Sequence, residues 1–208
     1  MRTPVRILIT GFGPYPGVAW NPSQWLVELL AREPPPGPGA ELASAVLPVN
    51  WTEAASRACA RMAELRPCAL LQFGLAPRTR SVAVETRAKN SAAPAPDACG
   101  SPPPAPWVAP GGPPQLASTL ASPLLAGALR RGNIRTRLSR DAGGYLCNYV
   151  FYRSLHWAAS QERPPLVGFF HIPPPQSRLD MRALEASGRI IVGYAAALAR
   201  RRGDRKGR

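Results

Sequence analysis

Cys147 sits in the run Asp141-Ala142-Gly143-Gly144-Tyr145-Leu146-Cys147-Asn148-Tyr149-Val150-Phe151. A small Ala-Gly-Gly turn precedes the thiol, and an apolar, helix-like stretch follows it. This pattern puts the sulfur at a helix start, where unpaired amide N–H groups and the helix dipole favour the thiolate, the reactive form. The chain has 2 histidines, so partners for its proton are few. His171 lies in Val167-Gly168-Phe169-Phe170-His171-Ile172-Pro173, at the end of a run that reads as a buried strand. A thiol at a helix start and an imidazole at a strand end suggest a nucleophile with its base. His156 competes for the base role, but it follows Cys147 on the same predicted helix at about 13 Å along the axis, too far for direct contact. On composition alone, Cys147 also fits a buried structural cysteine and His171 a satisfied core histidine.

The elements that must hold these groups alternate along the chain. Strands are predicted over residues 5–10, 41–49, 69–74, 81–88, 135–139 and 166–171, and helices over 22–31, 51–65, 116–131, 145–159 and 180–202. Asn21 is the expected N-cap of the first helix, with Pro22 at its first position. Residues 69–74 are nearly all apolar, as a central strand requires. Residues 81–88 alternate Val82, Val84 and Thr86 against Ala83, Glu85 and Arg87, which places Glu85 on one face, either solvated and paired with Arg87 or put to use. Residues 91–114 are rich in proline and poor in long hydrophobes, and read as an extended excursion or lid and not as a second domain. Gly188 weakens the last helix, and the basic run 200–208 reads as a disordered tail. Such alternation predicts an α/β sandwich, a single domain over 1–199. Gly11-Phe12-Gly13 after the first strand lacks the third glycine of a dinucleotide fingerprint.

Four segments together resemble the pyroglutamyl peptidase I (pyrrolidone-carboxylate peptidase) family of cysteine exopeptidases. Gly143-Gly144-Tyr145-Leu146-Cys147-Asn148 is similar to its nucleophile motif. Thr10-Gly11-Phe12-Gly13-Pro14-Tyr15 with Asn21-Pro22-Ser23 is similar to its N-terminal signature. Gly74-Leu75-Ala76-Pro77-Arg78, followed by Val84-Glu85-Thr86-Arg87-Ala88-Lys89-Asn90, is similar to its glutamate motif, and Phe170-His171-Ile172-Pro173 to its histidine motif. The resemblance implies a three-layer α/β/α sandwich with a mixed central sheet. It implies hydrolysis of the amide bond after an N-terminal pyroglutamyl (5-oxoproline) residue through a thioester acyl-enzyme. Cys147 would be nucleophile, His171 base and then acid, and Glu85 the group that orients His171. Phe12, Tyr15, Leu75, Tyr145 and Leu146 match positions around the lactam. No metal and no cofactor are implied, and a homo-oligomer, dimer or tetramer, is. Past Asn90 the likeness lapses, because Ser91-Ala92-Ala93-Pro94-Ala95-Pro96-Asp97 has no arginine where many members carry one. That departure motivates an alternative, a catalytically impaired paralogue that binds peptide or a small lactam without turnover.

Composition narrows the rest. At 208 residues the chain is one domain in size. No apolar run reaches the length of a membrane span, and the N-terminus reads as a core strand and not as a signal peptide, so a cytoplasmic location is the default. Cys59, Cys68, Cys99 and Cys147 show no zinc-site spacing. Cys59 and Cys68 read as small buried hydrophobes. The net charge of +14 permits nucleic-acid binding. Its basic residues are nearly all arginine beside abundant alanine and proline, however, and a coding bias toward these residues accounts for the charge, so nucleic acid is not the expected partner. The expected partners are peptides with an N-terminal pyroglutamate, with no membrane.

Overall fold

The computed structural model describes residues 5–34, 40–176 and 178–206. In chain order its elements are β1 (Val5–Phe12), α1 (Pro22–Arg32), β2 (Ala40–Leu47), α2 (Trp51–Leu65), β3 (Ala69–Leu75), β4 (Val82–Glu85), β5 (Arg87–Lys89), β6 (Gln115–Ala117), α3 (Pro123–Arg131), β7 (Thr136–Ser139), α4 (Leu146–Ala159), β8 (Leu166–Ile172) and α5 (Arg178–Lys206). Six strands form one sheet in the order β2-β1-β3-β8-β4-β7. All its pairs are parallel except β4 with β8. The sheet is therefore mixed, as expected.

Side chains alternate across each strand, and both faces are covered. Ile7, Ile9, Leu71, Phe73, Val84 and Phe170 pack with residues of α1, α3 and α5 on one side. Leu8, Leu70, Val167 and Phe169 pack with residues of α2 and α4 on the other. Two-sided burial explains why β3 and β8 read as continuous apolar runs. Full burial of each large aliphatic or aromatic side chain is worth about 1.5–3 kcal/mol. The strands β1, β3 and β8 are parallel, so Phe12, Leu75 and Ile172 finish along one edge. Open α/β sheets carry their sites at that edge.

Local chemistry sets the helix starts. Asn21 Oδ1 accepts from Ser23 N at 3.1 Å, with Pro22 opening α1, and Asn50 Oδ1 accepts from Thr52 N and Glu53 N, both at 3.0 Å. Ser122 Oγ accepts from Leu125 N at 3.1 Å, again ahead of a proline.

Several expectations need correction. The helix expected over 116–131 begins only at Pro123, and Gln115–Ala117 forms β6, paired antiparallel with β5. The strand expected over 81–88 breaks at Thr86, whose N–H and hydroxyl both turn to Ser139 O. Residues 91–114 form a packed excursion: Ala92, Asp97, Val108 and Ala109 are buried. The run from Arg200, expected as a disordered tail, continues α5 to Lys206, while Gly207 and Arg208 lie outside the described residues. Gly188 does not interrupt α5. A Cβ there would stand 2.8 Å from Leu30 Cδ1, so the glycine lets α5 approach α1. Cys68 is exposed because it precedes β3 and does not share its burial.

Candidate active site

The turn before α4 is built to present a helix start. Gly143 has φ 84°, a conformation that favours glycine, and its N–H donates to Asp141 Oδ1 at 3.0 Å. Tyr145 is the N-cap, extended at φ −101° and ψ −166°, and makes no side-chain cap bond. The Tyr149 N–H bonds the Tyr145 carbonyl at 3.1 Å. The amides of Leu146 and Cys147 therefore belong to the first turn, whose N–H groups have no partner within the helix. Cys147 occupies the second position of α4, as the sequence predicts.

Sheet register brings the other two groups to it. Glu85 and His171 both project to the α4 side of the sheet, and β4 and β8 are antiparallel neighbours. His171 Nδ1 donates to Glu85 Oε1 at 2.8 Å. Glu85 is fully buried, and its Oε2 has no other hydrogen-bond partner among the described residues. The alternative pairing with Arg87 does not form, because the chain has turned at Thr86 and Arg87 bonds Gln115 instead. The Cys147 sulfur lies beside His171: a Cβ on Gly74, the register partner of His171, would stand 2.9 Å from Sγ. Burial pulls the imidazole pKa down. The charge and hydrogen bond of Cys147, then those of Glu85, outweigh burial and raise it to about 10. His171 is thus held as an imidazolium between a sulfur and a carboxylate. An imidazolium so placed is a proton donor beside the sulfur.

Gly74 is a residue the sequence reading missed in its structural role. It pairs with His171 in register. A Cβ at Gly74 would lie 2.9 Å from Cys147 Sγ and 2.8 Å from Phe169 Cζ. Only a glycine leaves the sulfur room over β3, and a glycine inside an apolar strand is the signal for such an approach.

The residues assigned to the lactam divide. Tyr15 and Tyr145 both have phenol pKa values raised, first by burial, and both pack at the margin of the same core cluster as Cys147. Phe12 ends β1, two residues past the Thr10–Gln72 pair, as Gly74 does on β3. Its loop is pinned by the Asn21-Pro22-Ser23 segment: Phe12 N donates to Ser23 Oγ at 2.9 Å, and Asn21 Nδ2 donates to Gly13 O at 2.9 Å. Leu75 is partly exposed beside Ile172 at the strand ends. Leu146 differs. It is 1% exposed and packs in the α2–α4 core, so only its backbone can face the site.

The excursion after β5 closes against this helix start. Asn148 Oδ1 accepts from Lys89 N at 2.8 Å, and its Nδ2 donates to Lys89 O and Ser91 O. Ala93 N donates to Gly144 O at 2.7 Å. Tyr145 Oη donates to Pro96 O, and its ring meets Trp51 edge-on at 5.1 Å. Trp51 in turn donates through Nε1 to Ala95 O. Trp51 and Asn148 are further positioning residues the sequence did not disclose, because their partners lie 44 or more residues away. Among the described residues, no group of three or more His, Cys, Asp or Glu side chains gathers to hold a metal ion, and no helix is long and apolar enough to cross a membrane.

Comparison with known proteins agrees with this geometry. The family model described as Pyroglutamyl peptidase matches residues 5–187. The pyrrolidone-carboxylate peptidase of Pyrococcus furiosus is 32% identical over 175 residues, covering 81% of each chain. That of Clavibacter michiganensis is 36% identical, covering 80% of this chain and 78% of its own. A mutant pyrrolidone carboxyl peptidase structure from P. furiosus superposes with a TM-score of 0.84 at 29% identity, covering 93% of this chain and 99% of that one. Pyroglutamyl peptidase I of Bacillus amyloliquefaciens gives a TM-score of 0.80 at 25% identity, covering 90% and 97%. With a thiol, an imidazolium and a buried carboxylate aligned at the sheet edge, the chain belongs to the pyroglutamyl peptidase family and is a cysteine peptidase of that type.

Proposed function

We propose that this chain removes an N-terminal pyroglutamyl residue from peptides, with Cys147, His171 and Glu85 as its catalytic residues. The observation that carries the assignment is the hydrogen bond between Glu85 Oε1 and His171 Nδ1, set beside the Cys147 sulfur at the start of α4. The Cys147 sulfur attacks the pyroglutamyl carbonyl carbon. The resulting oxyanion meets the first-turn amides of α4, which a helix start leaves free to donate. His171 then gives its proton to the leaving amine as the C–N bond breaks, leaving a thioester on Cys147. Water attacks the thioester, with His171 taking its proton, and pyroglutamate departs as the sulfur is restored. Glu85 keeps the Nδ1–H pointed at itself and stabilises the imidazolium. Phe12, Tyr15 and Tyr145 offer flat walls to a small neutral ring, and the backbone of Leu75 and Leu146 offers polar partners to its amide.

The test is hydrolysis of a pyroglutamyl coumarin amide by the reduced protein beside its Cys147→Ser variant. Turnover that vanishes in the variant, and in wild type after iodoacetamide, supports the reading. Absence of turnover from folded wild type rejects it in favour of the non-catalytic binder, for which no feature of the site speaks. Two further parts of the proposal concern setting. All four cysteines are free thiols, which suits a reducing, cytoplasmic compartment. Assembly as a dimer or tetramer is checked by light scattering. Trp107 and Leu124, both well exposed, are the side chains that an interface would cover.

A further inference from the structure

We propose that Arg78, Arg80 and Arg137 form a subsite for the leaving chain, selecting peptides with a carboxylate side chain at the second or third residue after the pyroglutamyl group. This inference rests on the peptidase reading above and deepens it.

Strand order sets the direction. Phe12 ends β1 on one side of β3, and His171 lies one residue before the end of β8 on the other. A pyroglutamyl ring on the β1 side sends its leaving amine past His171, toward β4 and β7. Ala83 pairs in register with both His171 and Arg137. Residues paired in register share a face, so Arg137 stands on the catalytic face, two strands beyond His171. At about 4.8 Å per strand this is roughly 10 Å, within reach of about three extended residues.

A groove lies on that path. It is shallow and open to solvent, about 500 Å³ in volume, and is lined by Ala76, Pro77, Arg78, Thr79, Arg80 and Arg137. It begins beside the catalytic strand, because Ala76 N donates to the carbonyl of Ile172, the residue after His171, at 3.0 Å.

Charge identifies the ligand. Arg78, Arg80 and Arg137 are exposed, and none has an ion-pair partner among the described residues. The groove continues past Arg135, also exposed and without such a partner. The one carboxylate lining that continuation, Asp180, accepts from Gln176 N at 2.9 Å. Guanidinium groups offer forked donors that match carboxylates, and here they rim a groove on the departure side of the general acid.

The test uses the full chain and two peptides, pyroglutamyl-Ala-Glu-Glu and pyroglutamyl-Ala-Lys-Lys. The quantity read is the ratio of their kcat/KM values within one protein, which cancels any loss of folded enzyme. It is measured in wild type and in the R78Q/R80Q/R137Q variant, at ~20 mM and ~500 mM salt. The expected ratio favours the acidic peptide roughly tenfold at low salt and falls toward one at high salt and in the variant. A wild-type ratio near one overturns the proposal, as does a ratio that survives both salt and substitution. Single-stranded DNA bound by wild type and released by the substitutions, with a peptide ratio of one, would assign the patch to nucleic acid instead. If the neutral pyroglutamyl coumarin amide is also not hydrolysed, the peptidase reading itself fails, and this proposal with it.

Discussion

At the scale of single residues, chemistry is decided by a few short distances. Replacing Glu85 by Gln keeps the shape but removes the charge that holds the imidazolium. By analogy with other orienting carboxylates, kcat should fall about 10²- to 10⁴-fold with little change in KM, read from steady-state kinetics on the coumarin amide. The His171 pKa, raised to about 10, sets the pH dependence. The ring holds its proton as pH rises through neutrality and releases it only near 10, so kcat/KM should not fall between neutrality and that value and should fall above it. In Cys147→Ser the largest raising influence is gone while burial still lowers the pKa, so the His171 titration seen by NMR should move downward. An unmoved titration would show that the sulfur does not charge the ring. Gly74→Ala should cost about 1–3 kcal/mol of stability from overpacking and lower kcat more than tenfold by displacing the sulfur, measured by urea unfolding beside kinetics. Cys147 and His171 were legible from their local contexts, a small turn before an apolar helix and the end of an apolar strand. Glu85 was legible only through the family resemblance, because periodicity alone gave it a half-exposed face. Its burial comes from elements distant along the chain, with β8 pairing beside it and α4 packed over β5, β6 and β8, which pattern along the chain does not encode.

Elements explain both the successes and the failures of the sequence reading. The α2 boundaries were read correctly because an alanine-rich run ends at Arg66-Pro67, where Arg66 adopts a left-handed C-cap. The start of α3 was missed although Ser122-Pro123 is a strong start signal. The apolar residues upstream of it extend the helical pattern, whereas β6 is a three-residue strand whose partner β5 lies far earlier in the chain, with Ala88 opposite Leu116. The excursion between β5 and β6 looked like a lid because its prolines hide any period. Buried polar side chains order it instead, Asp97 and Asn90 among them. Asn90 Nδ2 donates to Ala109 O at 2.8 Å and Gly112 O at 3.1 Å, and its Oδ1 accepts from Ala109 N at 2.8 Å. Asn90→Ala would strand these groups, at about 1–3 kcal/mol for each left unsatisfied in the interior. The expected outcome is a lower urea midpoint and new protease cleavage within 91–112, followed by mass spectrometry. Activity should drop as well, since the same excursion braces Gly144 and Tyr145. A variant cut no faster than wild type would mean that the excursion is held by its own packing.

For the whole molecule, the alternation of strands and helices sufficed to infer the α/β class. A mixed sheet was implied by resemblance; that β4 is its antiparallel strand is visible only in the structure, where it lets Glu85 face β8. The net charge is a property of the same scale. It is +14, and the described residues carry few ion pairs, the His171–Glu85 contact being the buried one. Exposed pairs contribute at most about 1 kcal/mol each, so they offset little of the repulsion among scattered arginines. Excess like charge destabilises the compact state, and salt screens it within about 10 Å at ~0.1 M. Raising sodium chloride from ~20 mM to ~300 mM should therefore raise Tm, by about 2–4 °C for each kcal/mol of repulsion relieved in a chain of this size. The buried His171–Glu85 pair is shielded from that screening, so turnover of the neutral coumarin amide should change little over the same range. A Tm that falls with salt would mean that attractive surface pairs outweigh the net repulsion. The arginines would then be held in networks, and those beside the groove would have no unmet charge to offer a substrate.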